Sequence, residues 1–263
     1  MSGLRLGPLG AAAVAVLLLP AAGAAQSGDE LGERIAAASG DRVTFHFDVE
    51  PDVRVCENGF SRGDERRFHG SWNGGEPRCV EGPMEVLIER RAGVIHEVDY
   101  GPTGSHAGAR DLGRVDPLEA SAFLLTLHAR GARSDAAEDG LAGAVVARGA
   151  EPGRGLIELG RNRSLDSDLR QAALFWASQE AAEGIDTTLA GIAADEAEDQ
   201  DVRDAAVFGL SQRPDAEAVP ALMDLALSAP HVQTRKTALF WLSQSDDGRV
   251  PDFFAQLILG SGG

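Results

Sequence analysis

One helical phrase repeats at a near-constant interval in the second half of the chain, and this repeat constrains the fold more than any other feature. The phrase begins at Arg170 and returns at Arg203 and Arg235, as RQAALFWASQ, RDAAVFGLSQ and RKTALFWLSQ, so the period is 33 and then 32 residues. A unit of this length cannot enclose a core alone, so successive units must bury their apolar faces against one another. The sequence therefore predicts an α-solenoid over residues 152–263.

Each unit is predicted to contain two helices, the second of which opens with an aspartate two residues before the arginine. This opening, at Asp168–Arg170 and Asp201–Arg203, resembles the HEAT repeat in its short bacterial form, whereas residues 233–235 depart from it. The resemblance covers about residues 152–259. It implies a curved scaffold that binds a protein or peptide along the second helices. The first helices are marked by Leu156, Leu189, Leu222 and Phe253.

The N-terminus has the pattern of a secretory signal peptide. Arg5 precedes an apolar run over residues 11–19, and Pro20 and small residues follow it up to Ala25. The apolar run is shorter than the roughly 20 residues that span a bilayer. We therefore expect a signal peptide over 1–25, export to the periplasm or medium, and no membrane insertion.

Charge narrows the range of partners. The chain carries a formal net charge of −17 at pH 7. Such a surface repels phosphate backbones and anionic lipid headgroups. We expect neither nucleic acid nor a membrane surface as a partner, which leaves proteins and peptides.

Residues 42–101 are predicted to form a small antiparallel β unit after a flexible segment over 26–41. Apolar and polar residues alternate from Arg42 to Glu50, the period of a half-buried strand. Two further strands, 84–90 and 94–100, are joined by a short glycine-containing turn. The stretch between them is rich in glycine and is expected to be mostly loops.

Cys56 and Cys79 are predicted to form a disulfide, because an exported chain with two cysteines most simply pairs them. Closing this loop stabilises by about 3 kcal/mol in the chain-entropy account. Two separate buried thiols are an alternative. A zinc site that includes a histidine such as His69 is another, although the spacing matches no zinc pattern.

A glycine-rich linker is expected over 102–115 and a helical pair over 116–151. Asp116, Pro117 and Glu119 supply an N-cap, a first-turn proline and a capping glutamate. The pair is expected to cap the first edge of the array, because terminal repeats need a different outer face. The predicted fold class is thus α+β and mostly α: a disulfide-linked β unit followed by a HEAT-type solenoid.

Two polar columns in the repeats have two interpretations. They could hydrogen-bond the backbone of a bound strand, since both side chains offer several donors. Alternatively, and in preference, the arginines pair with acidic residues of adjacent repeats, such as Asp168 and Asp201, and hold the stack together. The columns are Arg170, Arg203 and Arg235, and Gln179, Gln212 and Gln244.

Trp176 and Trp241 occupy the same phase two repeats apart, with Gly209 at that phase between them. Packed helices lie about 8–10 Å apart, so two indoles flanking a glycine could frame a binding slot. Large aromatics in repeat helices also serve as core, and this second interpretation is preferred.

No catalytic residue, metal or cofactor is expected. Residues 59–63 match the nucleophile-elbow pattern of serine hydrolases, but no strand–turn–helix context surrounds Ser61. His46 and Asp48 share one strand face without a metal-binding spacing. HEAT-type iron hydroxylases use several His-Glu pairs, whereas this chain has only His96-Glu97.

The sequence therefore favours a non-catalytic scaffold that holds a protein or peptide. The alternative is an enzyme or an enzyme maturation factor, such as a bilin lyase, in which the repeats hold the substrate. An enzyme needs a concave pocket with converging groups of perturbed pKa, whereas a scaffold presents an open wall.

Overall fold

The computed structural model describes residues 23–63, 67–70, 78–180 and 184–260. Residues 1–22 of the predicted signal peptide lie outside this range. None of the helices in these residues is long and apolar enough to cross a membrane. The helices are α1 Gly23–Ala37, α2 Pro117–Leu125, α3 Ser134–Val146, α4 Gly153–Arg161, α5 Ser167–Ser178, α6 Ile185–Ala194, α7 Gln200–Ser211, α8 Asp215–Ser228, α9 Val232–Ser243 and α10 Arg249–Gly260.

Two four-stranded sheets form the β unit. Their strand orders are β7-β6-β1-β8 and β4-β3-β2-β5. The strands are β1 Arg42–Phe47, β2 Val53–Cys56, β3 Gly59–Arg62, β4 Arg67–Gly70, β5 Cys79–Val80, β6 Met84–Arg91, β7 Val94–Pro102 and β8 Arg110–Arg114.

The first sheet follows the predicted alternation and extends it. Val43, Phe45 and Phe47 of β1 are fully buried. The β6–β7 hairpin turns at Ala92 and Gly93, whose φ values of 52° and 81° are those of a tight primed turn. Strand β8 pairs in parallel with β1, so part of the predicted linker over 102–115 is an edge strand and this sheet is mixed.

The N-terminal segment over 26–41, predicted to be flexible, contains most of helix α1. Leu31 and Ile35 lie four residues apart on one helical face and are buried, and α1 packs against α2. The guanidinium of Arg90 donates to the carbonyls of Ile35 (2.5 Å) and Ala38 (2.9 Å) at the end of α1. The prediction was wrong because two apolar positions suffice for a helix that has a neighbour to cover them.

The second sheet occupies much of the stretch predicted to be loops. Cys56 and Cys79 lie opposite each other on β2 and β5 and are bonded, which confirms the predicted disulfide. Ser61 lies within antiparallel strand β3, so the nucleophile-elbow arrangement is absent there. Asp64, its nearest acid in sequence, lies outside the described residues.

Asp116 caps α2 by accepting from the backbone amides of Leu118 and Glu119, as predicted.

From α3 onward, every second helix packs against the one before it. Helix α3 contacts both β7 and α5, α5 contacts α7, and α7 contacts α9. The buried apolar residues form two clusters, one from the β unit to α5 and one from α5 to α10, and Ile157 packs against both.

Candidate functional site

Six aromatic side chains form a continuous row, here called the aromatic ladder, from the β unit across α5 and α7 to α9. Successive ring centroids lie 5.0–6.1 Å apart, within the range of attractive aromatic contacts. In spatial order the ladder is Phe60, Trp176, Phe175, Phe208, Trp241 and Phe240.

The repeat produces this ladder. Phe175, Phe208 and Phe240 hold the same phase in the three copies of the phrase. Because α5, α7 and α9 pack side by side, residues of one phase meet in space; the rings of Phe175 and Phe208 are parallel within 6°. Phe240, at the far end, is 56% exposed.

An open groove of about 610 Å³, here called the helical groove, runs over these three helices. The small residues Ala172, Ala205 and Thr237, again one phase of the repeat, line it beside the phenylalanine rings. Asp201 and Asp204 supply its carboxylates. The hydroxyl of Thr237 donates to Asp204 Oδ1 at 2.8 Å.

The tryptophan slot does not form around Gly209. In the ladder, Phe175 and Phe208 lie between Trp176 and Trp241. Gly209 is buried, and a Cβ atom there would lie 3.3 Å from Leu189 Cδ1 and 3.4 Å from Ser178 Cβ. The glycine allows α7 to approach α6 and the end of α5 closely, so its role is in packing.

The arginine column points into the loops between helices. Arg170 is 1% exposed; its guanidinium donates to Glu198 Oε2 at 2.6 Å and to the Gly160 carbonyl at 3.0 Å. Arg203 donates to the Glu198 carbonyl, and Arg235 to the Ala229 carbonyl at 2.6 Å. The Arg170 contacts connect α5 with α4 and with the loop before α7, whereas Arg203 and Arg235 each contact the loop before their own helix, so the three arginines form no open stripe.

The predicted ion-pair partners were wrong in identity. Asp168 and Asp201 were expected to pair with the arginines, but Arg170 contacts Glu198 at 2.6 Å and Asp199 at 3.7 Å. Both acids lie in the loop before α7, in the next unit. Arg170 does pair with acids further along the chain, as the preferred interpretation expected, but the acids come from a loop and not from a helix.

The glutamine column has a local role at the helix C-termini. The Gln179 amide donates to Ser178 Oγ at 3.2 Å, and Ser178 Oγ donates to the Phe175 carbonyl at 2.6 Å. The same two contacts recur at the ends of α7 and α9, through Gln212 and Gln244. Satisfying carbonyls at a helix end accounts for the repeated Ser-Gln pair.

A second concave space, here called the junction cavity, lies where β7, α3 and α5 meet. It measures about 480 Å³. Phe60 and Trp176 form an aromatic wall, so the cavity adjoins one end of the ladder. Four carboxylates line the rest of it, from Glu97, Asp99, Glu138 and Asp139. No sequence pattern predicts this cavity, because its carboxylates come from two distant segments.

The charges in the junction cavity are poorly compensated. Burial raises the pKa of Asp139 to about 6, and repulsion from Asp135, Asp99 and Glu97 adds to the effect. Burial also raises the pKa of Glu138. Cations close to these carboxylates would lower both pKa values.

Asp99 differs, because a histidine balances its charge. His106 Nδ1 lies 2.9 Å from Glu85 Oε1, and Nε2 lies 3.3 Å from Asp99 Oδ2. The hydrogen bond with Asp99 is the main reason that the pKa of His106 is raised. Burial opposes ionisation of Asp99, but its hydrogen bonds with His106 and the Tyr100 amide lower its pKa. Both imidazole nitrogens thus face carboxylates, and His106 holds the loop after β7 to the sheet.

The segment that directly follows β1 forms salt bridges and hydrogen bonds. Asp48 pairs with Arg114 and lies 3.8 Å from Arg148, and Glu50 Oε1 accepts from the Gly149 amide at 2.6 Å. Within the described ranges, no group of three or more histidine, cysteine, aspartate or glutamate side chains could hold a metal ion.

No known protein-family profile, curated protein or solved structure matches this chain. The resemblance to HEAT repeats therefore stays a prediction from the sequence. The geometry itself contributes two candidate binding surfaces, the helical groove and the junction cavity, joined through Phe175 and Trp176, whose ring centroids are 5.0 Å apart.

Proposed function

We propose that this protein is an exported, non-catalytic scaffold of HEAT-like repeats that binds a protein or peptide segment in the helical groove. The observation that supports the proposal is the aromatic ladder, four of whose rings line an open groove across α5, α7 and α9. Aromatic side chains supply much of the binding energy at protein interfaces. The disulfide supports export, because such bonds persist in oxidising compartments.

The dimensions of the helical groove suit an extended segment. Adjacent packed helices lie about 8–10 Å apart, so a path over α5, α7 and α9 covers roughly 16–20 Å. An extended chain rises about 3.3 Å per residue, so about five or six residues fill the path. The half-exposed ring of Phe240 offers apolar contact at the α9 end.

Peptide selection on the full chain tests the proposal. Phage-displayed random peptides selected on wild-type protein should bind at least tenfold more weakly to Phe240→Ala. A matched control is Leu227→Ala on α8, which removes a side chain of similar exposure (61%) outside the groove and should bind normally. Failure to select any peptide, or equal binding to both variants, contradicts the proposal.

The second candidate is an enzyme acting in the junction cavity, and the pKa of about 6 for Asp139 is the observation that favours it. A carboxyl with this pKa can donate or accept a proton near neutral pH. Its test is release of nitrophenol from a panel of nitrophenyl glycosides, esters and phosphates. Turnover by wild type that disappears in Asp139→Asn supports an enzyme. If wild type shows no turnover of any of these substrates, the scaffold is favoured.

A further inference from the structure

We propose that the segment bound in the helical groove is basic: apolar side chains contact the aromatic ladder, while arginine or lysine side chains pair with the carboxylates beside it. This inference rests on the function proposed above and names the chemistry of the partner. Its basis is charge complementarity along one continuous surface.

The helical groove itself is acidic. Asp201 is exposed at its rim, and Asp204 is half-buried with one hydrogen bond, from Thr237. Among the described residues that line the groove, the ionisable ones are these two aspartates. Lys236, exposed on α9, is not among them. An arginine or lysine side chain that enters the groove would therefore meet two carboxylates, neither of which pairs with a cation among the groove-lining residues.

The arginines of the repeats do not neutralise this surface. Arg170 and Arg203 are 1% and 5% exposed, and their guanidinium groups contact the loop before α7. Arg235 donates to backbone carbonyls of the loop before α9. The three arginines thus contact loops, whereas Asp201 and Asp204 line the groove.

Further carboxylates lie beyond the groove, near the start of α5 and in the junction cavity. Asp168 and Asp166, at the start of that helix, repel the carboxylate of Glu138 in the junction cavity strongly enough to contribute to its raised pKa. Asp139, next to it, is surrounded by further carboxylates. A chain that lies along the ladder reaches this cavity at Trp176, where one basic side chain could neutralise Asp139 beside an aromatic wall.

Matched peptides test the charge requirement. Three fluorescein-labelled peptides of about ten residues share leucines at alternate positions, with arginine, glutamine or glutamate between them. Fluorescence anisotropy with the full chain at pH 7 and physiological salt should show the arginine peptide binding at least tenfold more tightly than the glutamine peptide. The glutamate peptide should not bind measurably.

Variants of equal charge change separate local attraction from the net charge of the chain. The double variant Asp201→Asn, Asp204→Asn should weaken binding of the arginine peptide about tenfold and leave that of the glutamine peptide unchanged. The control, Asp224→Asn with Asp252→Asn, removes two exposed acids from α8 and α10. This control should have less than a twofold effect.

Each alternative result has a defined meaning. Equal weakening by the two double variants, or equal affinity for the arginine and glutamine peptides, overturns the basic-partner inference. In that case loss of both peptides in Phe240→Ala still supports binding in the groove. If Phe240→Ala leaves every peptide unaffected, the proposed function itself fails.

Discussion

Replacing Arg170 with methionine should destabilise the protein severely, because it strands a buried carboxylate. Arg170 is 1% exposed and donates to Glu198 Oε2 at 2.6 Å. Glu198 has a side-chain exposure of 5%. Its remaining cationic neighbour, Arg163, is 3.4 Å away and half exposed, so it compensates only in part.

The expected loss is about 3–5 kcal/mol, the usual cost of removing one partner of a buried ion pair. The lost hydrogen bond to the Gly160 carbonyl falls within this range. Adding Glu198→Gln should recover more than about 1 kcal/mol, because the buried charge disappears. In wild type the backbone N–H of Asp199 donates to Glu198 Oε1 at 2.8 Å. The side-chain oxygen of the introduced glutamine can accept the same hydrogen bond.

Urea unfolding of the oxidised full chain, followed by circular dichroism at pH 7, measures this loss. The matched control is Arg154→Met, which removes an arginine with 93% side-chain exposure from its pairing with Glu158; its stability should equal that of wild type. The pKa of Glu198 is lowered in wild type by its hydrogen bond with Arg170, so the difference in stability between Arg170→Met and wild type should shrink as falling pH protonates Glu198, first in the variant and then in wild type. Equal stability of Arg170→Met and Arg154→Met would show that the buried Arg170–Glu198 pair does not stabilise the fold more than an exposed pair does.

Three further variants test other parts of the structure. His106→Gln should cost most stability below about pH 6.5 and progressively less as pH rises, since a raised histidine pKa stabilises the fold only while the ring is protonated; thermal melts from pH 5 to 9 check this, and a constant difference contradicts it. Asp139→Asn should raise the melting temperature at pH 7.5, with a gain that fades between about pH 6 and 4, because the raised pKa penalises the ionised carboxylate; no gain at pH 7.5 contradicts the burial argument. Cys56→Ser with Cys79→Ser should cost about 3 kcal/mol in urea unfolding, from release of the loop constraint; a loss below 1 kcal/mol is the contrary result.

Features encoded by local pattern could be predicted from the sequence. The alternation around Phe45 gave β1, and the Asp116 N-cap gave the start of α2. The disulfide was predicted from the presence of two cysteines and the predicted export. In each case a single segment, or a forced pairing, contains enough information to define the structure.

Features that depend on neighbours could not be predicted. Helix α1 needs α2 to cover Leu31, and β8 needs the edge of β1. Trp176 and Trp241 lie on two of the three helices that form the groove, but Trp176 lines the junction cavity, and the three phenylalanines of the repeated phrase line the groove together with Trp241. The junction cavity joins side chains from β7 and α3, which no spacing in the sequence relates.

Hydrogen–deuterium exchange of the full chain, with and without the arginine peptide, tests most directly where a partner binds. We expect new protection in α5, α7 and α9, and little change in α4, α6 and α8. Protection confined to α4, α6 and α8, or to the outer face of the β unit, would show that the peptide binds outside the groove.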